Sequence, residues 1–253
     1  DPCNRPGAGR ARPAGRTGGV SIQARIASGL TALGLTPPDG AAARLAEYGR
    51  LLLEQNQVMN LTAITEPDLH FLDSAALLTL GEDLRGKRLI DVGTGAGFPG
   101  LPLRILEPSL QLTLLDSLGK RVNWLASVCN TLGLEGVECL HARAEEQALV
   151  DGYRDGFDYA VSRAVASLEL LCELCLPYLK VGGRFLAMKG VDSGEEINHA
   201  ARCISILGGR LLPSVDYVIP GANVRHRVVL VEKCTPTPNG YPRRWAKIQK
   251  APL

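Results

Sequence analysis

A glycine-rich segment between Asp91 and Gly100 contains the residues of this sequence that point most directly to chemistry. It reads DVGTGAGFPG and follows a short apolar run, so that four glycines fall within eight residues. Because glycine has no Cβ, it lets the backbone turn tightly and approach a bound ligand closely. Parallel α/β sheets bind their ligands at such turns, beyond the carboxyl ends of the strands. The segment therefore predicts a binding loop for a nucleoside-containing cofactor.

Two kinds of cofactor compete for this loop. Gly95, Gly97 and Gly100 have the G-x-G-x-x-G spacing of a dinucleotide-binding loop, which is a weak signal when it stands alone. Asp91 and Gly93 extend the pattern to D-x-G-x-G-x-G. A carboxylate at that place fits poorly beside a pyrophosphate, but it can reach the cationic amino-acid end of S-adenosylmethionine. The pattern favours the methyl donor over the dinucleotide.

Further polar residues follow the next apolar runs. Asp116 ends the run LTLLD, where its carboxylate can accept both ribose hydroxyls of either cofactor. Ala144 and Glu145 follow the third run, where a backbone amide and a carboxylate could meet adenine. Arg163, in Ser-Arg-Ala, follows the fourth run, near the expected position of the transferable methyl. The alternative for Arg163 is an ion pair at the surface.

The residues around Arg163 also narrow the class of methyl acceptor. The fourth run is followed neither by the N/D-P-P-Y/F motif of adenine amine methylation nor by a Pro-Cys nucleophile for cytosine C5. An acceptor with a free lone pair, such as guanine N7, needs in-line positioning and no general base. Arginine can bind the O6 edge of guanine or a phosphate. We therefore expect Arg163 to position the reactants.

Alternating strand and helix patterns supply the framework for these residues. Helical spacing precedes Arg88, with Asp39 as a predicted N-cap, and a capping box is predicted at Ser193–Glu196. Strands alternating with helices predict a parallel sheet covered on both faces. Two final strands in sequence predict a hairpin and an antiparallel last strand. The predicted strands are 88–93, 112–116, 137–142, 157–162, 183–190, 211–220 and 227–233.

The predicted fold is thus α/β, of the class I S-adenosylmethionine-dependent methyltransferase type, which is Rossmann-like. We expect a seven-stranded, mostly parallel sheet with an antiparallel last strand and an N-terminal helical extension. The predicted division is a disordered extension (1–20), a helical segment (21–82), the methyltransferase domain (83–234) and a basic tail (235–253).

Charge and cysteine content bear on partners and compartment. The chain has a net charge of +2, but basic residues concentrate at its two ends, as in a protein that binds a polyanion or one with merely solvated tails.

The sequence has neither an apolar run of roughly 18 residues nor a secretory signal, so we expect a cytoplasmic protein. Cys172 and Cys175 form one C-x-x-C, a spacing that also fits one helix face, and we expect no metal site.

An ordered set of motifs resembles a known family, the bacterial 16S rRNA guanine-N7 methyltransferases called RsmG or glucose-inhibited division protein B. The resemblance runs from about Leu51 to Val231 and more weakly to the C-terminus. The motifs that carry it are Asn60-Leu-Thr-Ala-Ile64, His70-Phe-Leu-Asp73-Ser74, DVGTGAGFPGLPL (91–103), LLDSLGKRVNWL (114–125), Ala142-Arg-Ala-Glu145, Ser162-Arg-Ala164, Met188-Lys-Gly190 and Tyr241-Pro-Arg243.

The resemblance implies methyl transfer from S-adenosylmethionine to N7 of guanine 527, in the 530 loop of 16S rRNA, by a cytoplasmic enzyme. It implies cofactor contacts at Gly93, Phe98, Ala144, Glu145 and Arg163. The implied partner is 16S rRNA or the 30S subunit, with no membrane partner, and we expect a monomer.

The resemblance leaves other roles open. Lys189, Arg243 and Arg244 are candidates for phosphate contacts, which orient RNA without reading its sequence. His70 and Asp73, like Asn60, could be a structural pair or belong to a guanine pocket. After Tyr-Pro-Arg the family usually has a Gly-x-Pro stretch, which this chain lacks. That departure puts the conformation of the tail in doubt.

Three alternatives remain beside the rRNA methyltransferase. A nicotinamide-dependent oxidoreductase would bind NAD(H) and not S-adenosylmethionine, which Asp91 and the terminal hairpin disfavour. A non-catalytic ribosome-assembly factor would bind cofactor and RNA without turnover. A methyltransferase of small molecules is disfavoured by the basic tail.

Overall fold

A computed structural model gives the fold of residues 19–60 and 62–253. The predicted disordered extension, 1–20, lies outside the described residues apart from Gly19 and Val20, and Leu61 of the Asn60–Ile64 motif lies outside them as well.

One mostly parallel sheet forms the centre of the described chain. Its order is β3-β2-β1-β4-β5-β8-β6, with β7 also paired to β8. Strands β1 to β5 run parallel, and β8 is antiparallel to β5. The strands are β1 (Arg88–Val92), β2 (Gln111–Asp116), β3 (Val137–His141), β4 (Phe157–Ser162), β5 (Leu179–Gly190), β6 (Gly209–Leu211), β7 (Val215–Val218) and β8 (Arg225–Lys233). The predicted α/β fold with an antiparallel end is confirmed.

Helices flank this sheet and precede it. They are α1 (Ile22–Ala32), α2 (Ala41–Met59), α3 (Pro67–Ala75), α4 (Gly100–Leu106), α5 (Gly119–Thr131), α6 (Ala144–Gln147), α7 (Leu168–Cys175), α8 (Gly194–Ile206) and α9 (Trp245–Lys250). Short 3-10 turns follow α3 at Ala76–Thr79 and α7 at Leu176–Tyr178. Among the residues described, none of the helices combines the length and the apolar character that crossing a membrane requires.

The sheet has eight strands where seven were predicted, because the segment predicted as a single strand, 211–220, is divided. Its parts pair with opposite halves of β8, Leu211 with Val231 and Val215 with Val228. Pro213 lies between the two parts, and proline has no N–H to donate to a sheet. The hairpin itself is present, since β7 and β8 are antiparallel neighbours.

The N-terminal helices share one hydrophobic core with one face of the sheet. Fully buried Leu45 and Phe71 belong to the same cluster as Leu101 of α4 and Leu125 of α5. The other face forms a second cluster with α7 and α8, which contains Cys172 and Cys175, both fully buried. The domain boundaries drawn from the sequence at 82–83 and 234–235 stay predictions.

Two predicted helix caps are wrong. The N-cap of α2 is Gly40, whose φ of 78° lies in the left-handed region that glycine tolerates, and not Asp39. Ser193 does precede α8, but its side chain makes no capping hydrogen bond. Glu196 forms an ion pair with Lys189 instead, so the reciprocal bonds of a capping box are not made.

Candidate functional site

The glycine loop connects β1 to α4 in a conformation that only glycine adopts readily. Gly93, Gly95 and Gly97 have φ angles of 71°, 59° and 107°. The amides of Gly93 and Thr94 donate to the carbonyl oxygen of Leu115 at 2.9 and 3.0 Å, which fixes the loop on the end of β2. A Cβ added at Gly97 would collide with the hydroxyl of Tyr48. The loop is therefore held from both sides.

Asp91 lies underneath this loop. Its side chain is fully buried, and Oδ2 accepts hydrogen bonds from Thr94 Oγ1 at 2.7 Å and from the Gly100 amide at 2.8 Å. Burial raises the pKa of this carboxyl to about 7, although both hydrogen bonds act to lower it. Within the described part of the chain, Oδ1 has no hydrogen-bond partner. Asp91 holds the loop against the start of α4, and its predicted contact with the cofactor stays a prediction.

Asp116, at the end of β2, is tied to the same loop. It is 4% exposed; Oδ2 accepts from the Gly95 amide and Oδ1 from the Leu118 amide, each at 2.9 Å. Its neighbours Leu115 and Ser117 line a pocket. Each carboxylate oxygen can accept more than one hydrogen bond, so Asp116 retains capacity for a ligand at that edge.

This pocket, here called the Glu145 pocket, has a volume of about 210 Å³ and a mainly apolar lining. Glu145 is 6% exposed, and its Oε1 accepts from Arg143 Nε at 2.7 Å. The hydroxyl of Tyr178 donates to the Ala144 carbonyl at 2.6 Å, which fixes the start of α6. The lining residues are Val92, Gly93, Leu115, Ser117, Ala142, Arg143, Ala144, Glu145, Ala164, Ala166, Leu171, Leu174 and Trp245.

Arg163, directly after β4, is held by α3. Its Nη1 lies 2.9 Å from His70 Nδ1 and 3.5 Å from Asp73 Oδ2, and its Cζ lies 4.8 Å from the ring centroid of Phe98. His70 and Asp73 thus belong to the site, on one face of α3 as their spacing predicts. The side chain of Arg163 is 23% exposed, so part of its guanidinium remains accessible to a ligand.

The hydrogen bond between Arg163 and His70 determines the protonation of the imidazole. A guanidinium has only donors, so Nδ1 of His70 must accept and the proton of the neutral ring lies on Nε2. Burial lowers the pKa of His70 to about 4, and the positive charge of Arg163 acts in the same direction. His70 is therefore neutral at neutral pH.

The carboxylate of Asp73 has hydrogen-bonding partners in three separate parts of the chain. In addition to Arg163, it accepts from the hydroxyl of Tyr217 in β7, and its Oδ1 lies 3.0 Å from His226 Nδ1 in β8. Tyr217 and His226 are paired in the register of the terminal hairpin. The cluster therefore connects the N-terminal helices to the antiparallel end of the sheet.

A second pocket, here called the Lys189 pocket, opens beside this cluster with a volume of about 600 Å³. It shares Ala164 and Ala166 with the Glu145 pocket, so the two cavities meet at the loop after β4. Its lining residues are Asp73, Arg163, Ala164, Val165, Ala166, Ser167, Met188, Lys189, Gly190, Glu196 and His226.

Comparison with known proteins assigns this arrangement to a family. The family model described as rRNA small subunit methyltransferase G matches residues 41–218. A protein of that name from Alkaliphilus metalliredigens is 44% identical over 232 residues, 90% of this chain and 97% of that protein. One from Clostridium perfringens is 45% identical over 210 residues, 81% of this chain and 88% of that protein. The chain belongs to the rRNA small subunit methyltransferase G family.

Membership of the methyltransferase G family confirms the predicted resemblance, the predicted methyltransferase activity and the predicted cofactor, S-adenosylmethionine. Solved structures agree on the fold. The crystal structure of TYW2 from M. jannaschii in complex with AdoMet superposes with a TM-score of 0.51 at 14% identity, over 68% of this chain and 78% of that chain. A predicted O-methyltransferase from Agrobacterium tumefaciens superposes with a TM-score of 0.50 at 17% identity, over 66% of this chain and 81% of that chain.

The three residues predicted to bind phosphate differ in how far the protein itself engages their charges. Lys189 Nζ donates to the Ala166 carbonyl at 2.5 Å and lies 2.6 Å from Glu196 Oε1, with 10% of the side chain exposed. Arg243 makes a 2.7 Å ion pair with Glu173, which is 1% exposed. Both cations pair with carboxylates of the protein, and their contacts with phosphate stay predictions. Arg244, in contrast, is exposed.

Three residues of the site were not predicted from the sequence. Tyr48 touches the glycine loop and Trp245 lines the Glu145 pocket, and no motif in the sequence indicates either contact. His226 lies one residue before the predicted strand 227–233, in the part of β8 that the sequence did not predict, and nothing in the sequence shows that it faces Asp73. The departure of the tail from the family pattern was the one available signal for Trp245.

Proposed function

We propose that this protein transfers the methyl group of S-adenosylmethionine to N7 of guanine 527 in 16S rRNA. The observation that supports this most strongly is the meeting of the Glu145 and Lys189 pockets at the loop that begins with Arg163. A cofactor in the first pocket and a base in the second would place donor and acceptor side by side. The names of the relatives supply the class of substrate, small-subunit rRNA.

We assign the parts of the cofactor to residues of the Glu145 pocket and of the glycine loop and strand end beside it. Gly93, Gly95 and Gly97, together with Phe98, would shape the loop around its amino-acid portion. The carboxylate of Asp116 would accept from the ribose, and Ala144 and Glu145 would meet adenine beside apolar side chains. Asp91 would act through the loop, by holding Thr94 and Gly100 in place, and not by direct contact. When bound, the cofactor supplies an electrophilic methyl group.

Arg163 would position the reactants from the junction of the two pockets. Its guanidinium is fixed by Phe98, His70 and Asp73, and its remaining donors can bind the O6 edge of guanine. Guanine N7 has its own lone pair, so the step needs alignment and no proton removal. The positive charge would pass to the base as the N7–methyl bond forms and the sulfonium–methyl bond breaks, with neutral S-adenosylhomocysteine as the leaving group. Asp73 would balance the charge of Arg163 beside the base.

The finer assignments form part of the same proposal. Arg244 is the best placed of the three phosphate candidates. We propose that the protein acts in the cytoplasm as a monomer and that its substrate is presented by 16S rRNA or by the 30S subunit.

A methyl-transfer assay with labelled S-adenosylmethionine tests the proposal. The substrates are 30S subunits and free 16S rRNA from a strain that lacks the modification, and N7-specific chain cleavage maps the product. Label at guanine 527 alone is the expected result. Tight cofactor binding without transfer to either substrate would favour the non-catalytic assembly factor, and transfer to another nucleotide would refute the assignment of the site.

A further inference from the structure

The C-terminal segment is attached firmly to the body of the protein. Arg154 Nη1 donates to the Tyr241 carbonyl at 2.6 Å, and Arg154 Nη2 donates to the Pro238 carbonyl at 3.1 Å. Arg243 pairs with the buried Glu173 through its guanidinium, and its own amide donates to Glu173 Oε2 at 2.8 Å. These bonds fix the chain immediately before α9 against α7.

Trp245, the first residue of α9, lines the Glu145 pocket beside Leu171 and Leu174 of α7. It is half-buried, whereas Ile248 of the same helix is fully buried. Ile248 and the Arg243–Glu173 pair already attach the helix, so docking does not require the large ring of Trp245. The indole remains available to a ligand in the pocket.

We propose that Trp245 is a cofactor-binding residue whose indole packs against the adenine of S-adenosylmethionine, so that the C-terminal segment completes the cofactor site. This inference rests on the proposed function, which places adenine in the Glu145 pocket. A purine has two flat apolar faces, and an aromatic side chain covers such a face well. The polar wall at Ala144 and Glu145 would take the edge of the base, and the wall formed by α7 and Trp245 would take a face.

Cofactor binding, measured by calorimetry, tests the role of the ring. Trp245→Ala should weaken the affinity for S-adenosylhomocysteine by roughly 5- to 150-fold, the range expected for loss of one base–aromatic contact. Trp245→Phe should recover most of that loss. The same ratio is expected for 5′-methylthioadenosine, which retains adenine but lacks the amino-acid portion. Lys250→Ala, an exposed change in the same helix, is the matched control and should bind as the unmodified protein does.

A second measurement leaves Trp245 unchanged. The chain has two tryptophans, and Trp124 is buried in the core, so Trp124→Phe makes Trp245 the sole reporter. Titration with S-adenosylhomocysteine should then change its fluorescence with the same dissociation constant that calorimetry gives.

The outcomes separate the two proposals. Cofactor binding that is equal in Trp245→Ala and the unmodified protein, with no fluorescence change in Trp124→Phe, would overturn the role of Trp245 and leave the proposed function intact. Failure of the unmodified protein to bind the cofactor at all would overturn both. If Trp245→Ala does not fold, the affinity of Trp245→Phe and the fluorescence titration of Trp124→Phe still test whether Trp245 contacts the cofactor.

Discussion

The hydroxyl of Tyr48, in the second helix, donates a hydrogen bond to the carbonyl of Ala96, in the middle of the glycine loop. The ring of Tyr48 stacks on Phe98, with their centroids 5.6 Å apart, and Tyr48 is itself fully buried. Burial also raises the pKa of this hydroxyl, so it remains a donor. The N-terminal helices therefore set the conformation of the loop.

Tyr48→Phe should weaken cofactor binding, because the Ala96 carbonyl loses its donor and the loop is less preorganised. We expect a loss of about 1–3 kcal/mol in the free energy of unfolding, the cost of an unsatisfied buried carbonyl, and a higher dissociation constant. Chemical denaturation and calorimetry measure the two effects. Tyr159→Phe is the matched control: it removes a hydroxyl that is bonded to Glu82, away from both pockets, and should leave affinity unchanged. Equal affinities for all three proteins would contradict the argument.

Arg163→Lys should slow methyl transfer by about 10- to 100-fold, since misplacement of a reactant by about 1 Å can have an effect of that size. Lysine keeps the charge but loses the planar group that lies over Phe98 and bonds His70. Single-turnover rates at saturating cofactor measure the change. Arg184→Lys makes the same substitution in the ion pair with Glu82 and should leave the rate near that of the unmodified protein. A full rate for Arg163→Lys would remove the guanidinium from the proposed site.

His70 should remain neutral down to about pH 4, where its depressed pKa lies. A histidine whose pKa is lower in the folded than in the unfolded state binds fewer protons when folded. Stability from this residue is thus present above pH 6.5 and is lost as the pH falls toward 4. NMR of the imidazole should show no titration between pH 6 and 8 and Nε2 as the protonated nitrogen. A midpoint near 6.5 would contradict the burial of His70 together with its contact with Arg163.

Replacing Arg243 by alanine should lower stability, whereas replacing Arg244 by alanine should lower RNA affinity. Arg243→Ala leaves the carboxylate of Glu173 buried without its partner, so we expect the free energy of unfolding to fall by about 3–5 kcal/mol. Arg244→Ala should change stability by less than about 0.5 kcal/mol. It should instead weaken RNA binding and reduce the salt dependence of affinity by about one phosphate contact. Chemical denaturation measures the stability of both variants, and RNA binding at several salt concentrations measures their affinities. A stability loss in Arg244→Ala with an affinity loss in Arg243→Ala would refute the roles given to both residues.

Local patterns predicted much of the fold because they reflect burial directly. The strand predicted at 157–162 has those bounds as β4, since its apolar side chains are nearly all buried. The sequence could not predict partners that the fold brings together from a distance. Arg243 lies in a basic segment of the sequence, which suggests a contact with phosphate. Only the packing of the tail on α7 shows that its guanidinium is paired with Glu173. Trp245 is likewise placed by tertiary contacts alone.

The pocket that contains Gly93 and Glu145 also contains Trp245, which follows the whole sheet in the sequence. The pocket therefore has all its walls only while α9 is docked on α7. A ligand stabilises only the states that bind it. S-adenosylmethionine would then favour the docked state of α9 over states in which this helix is detached.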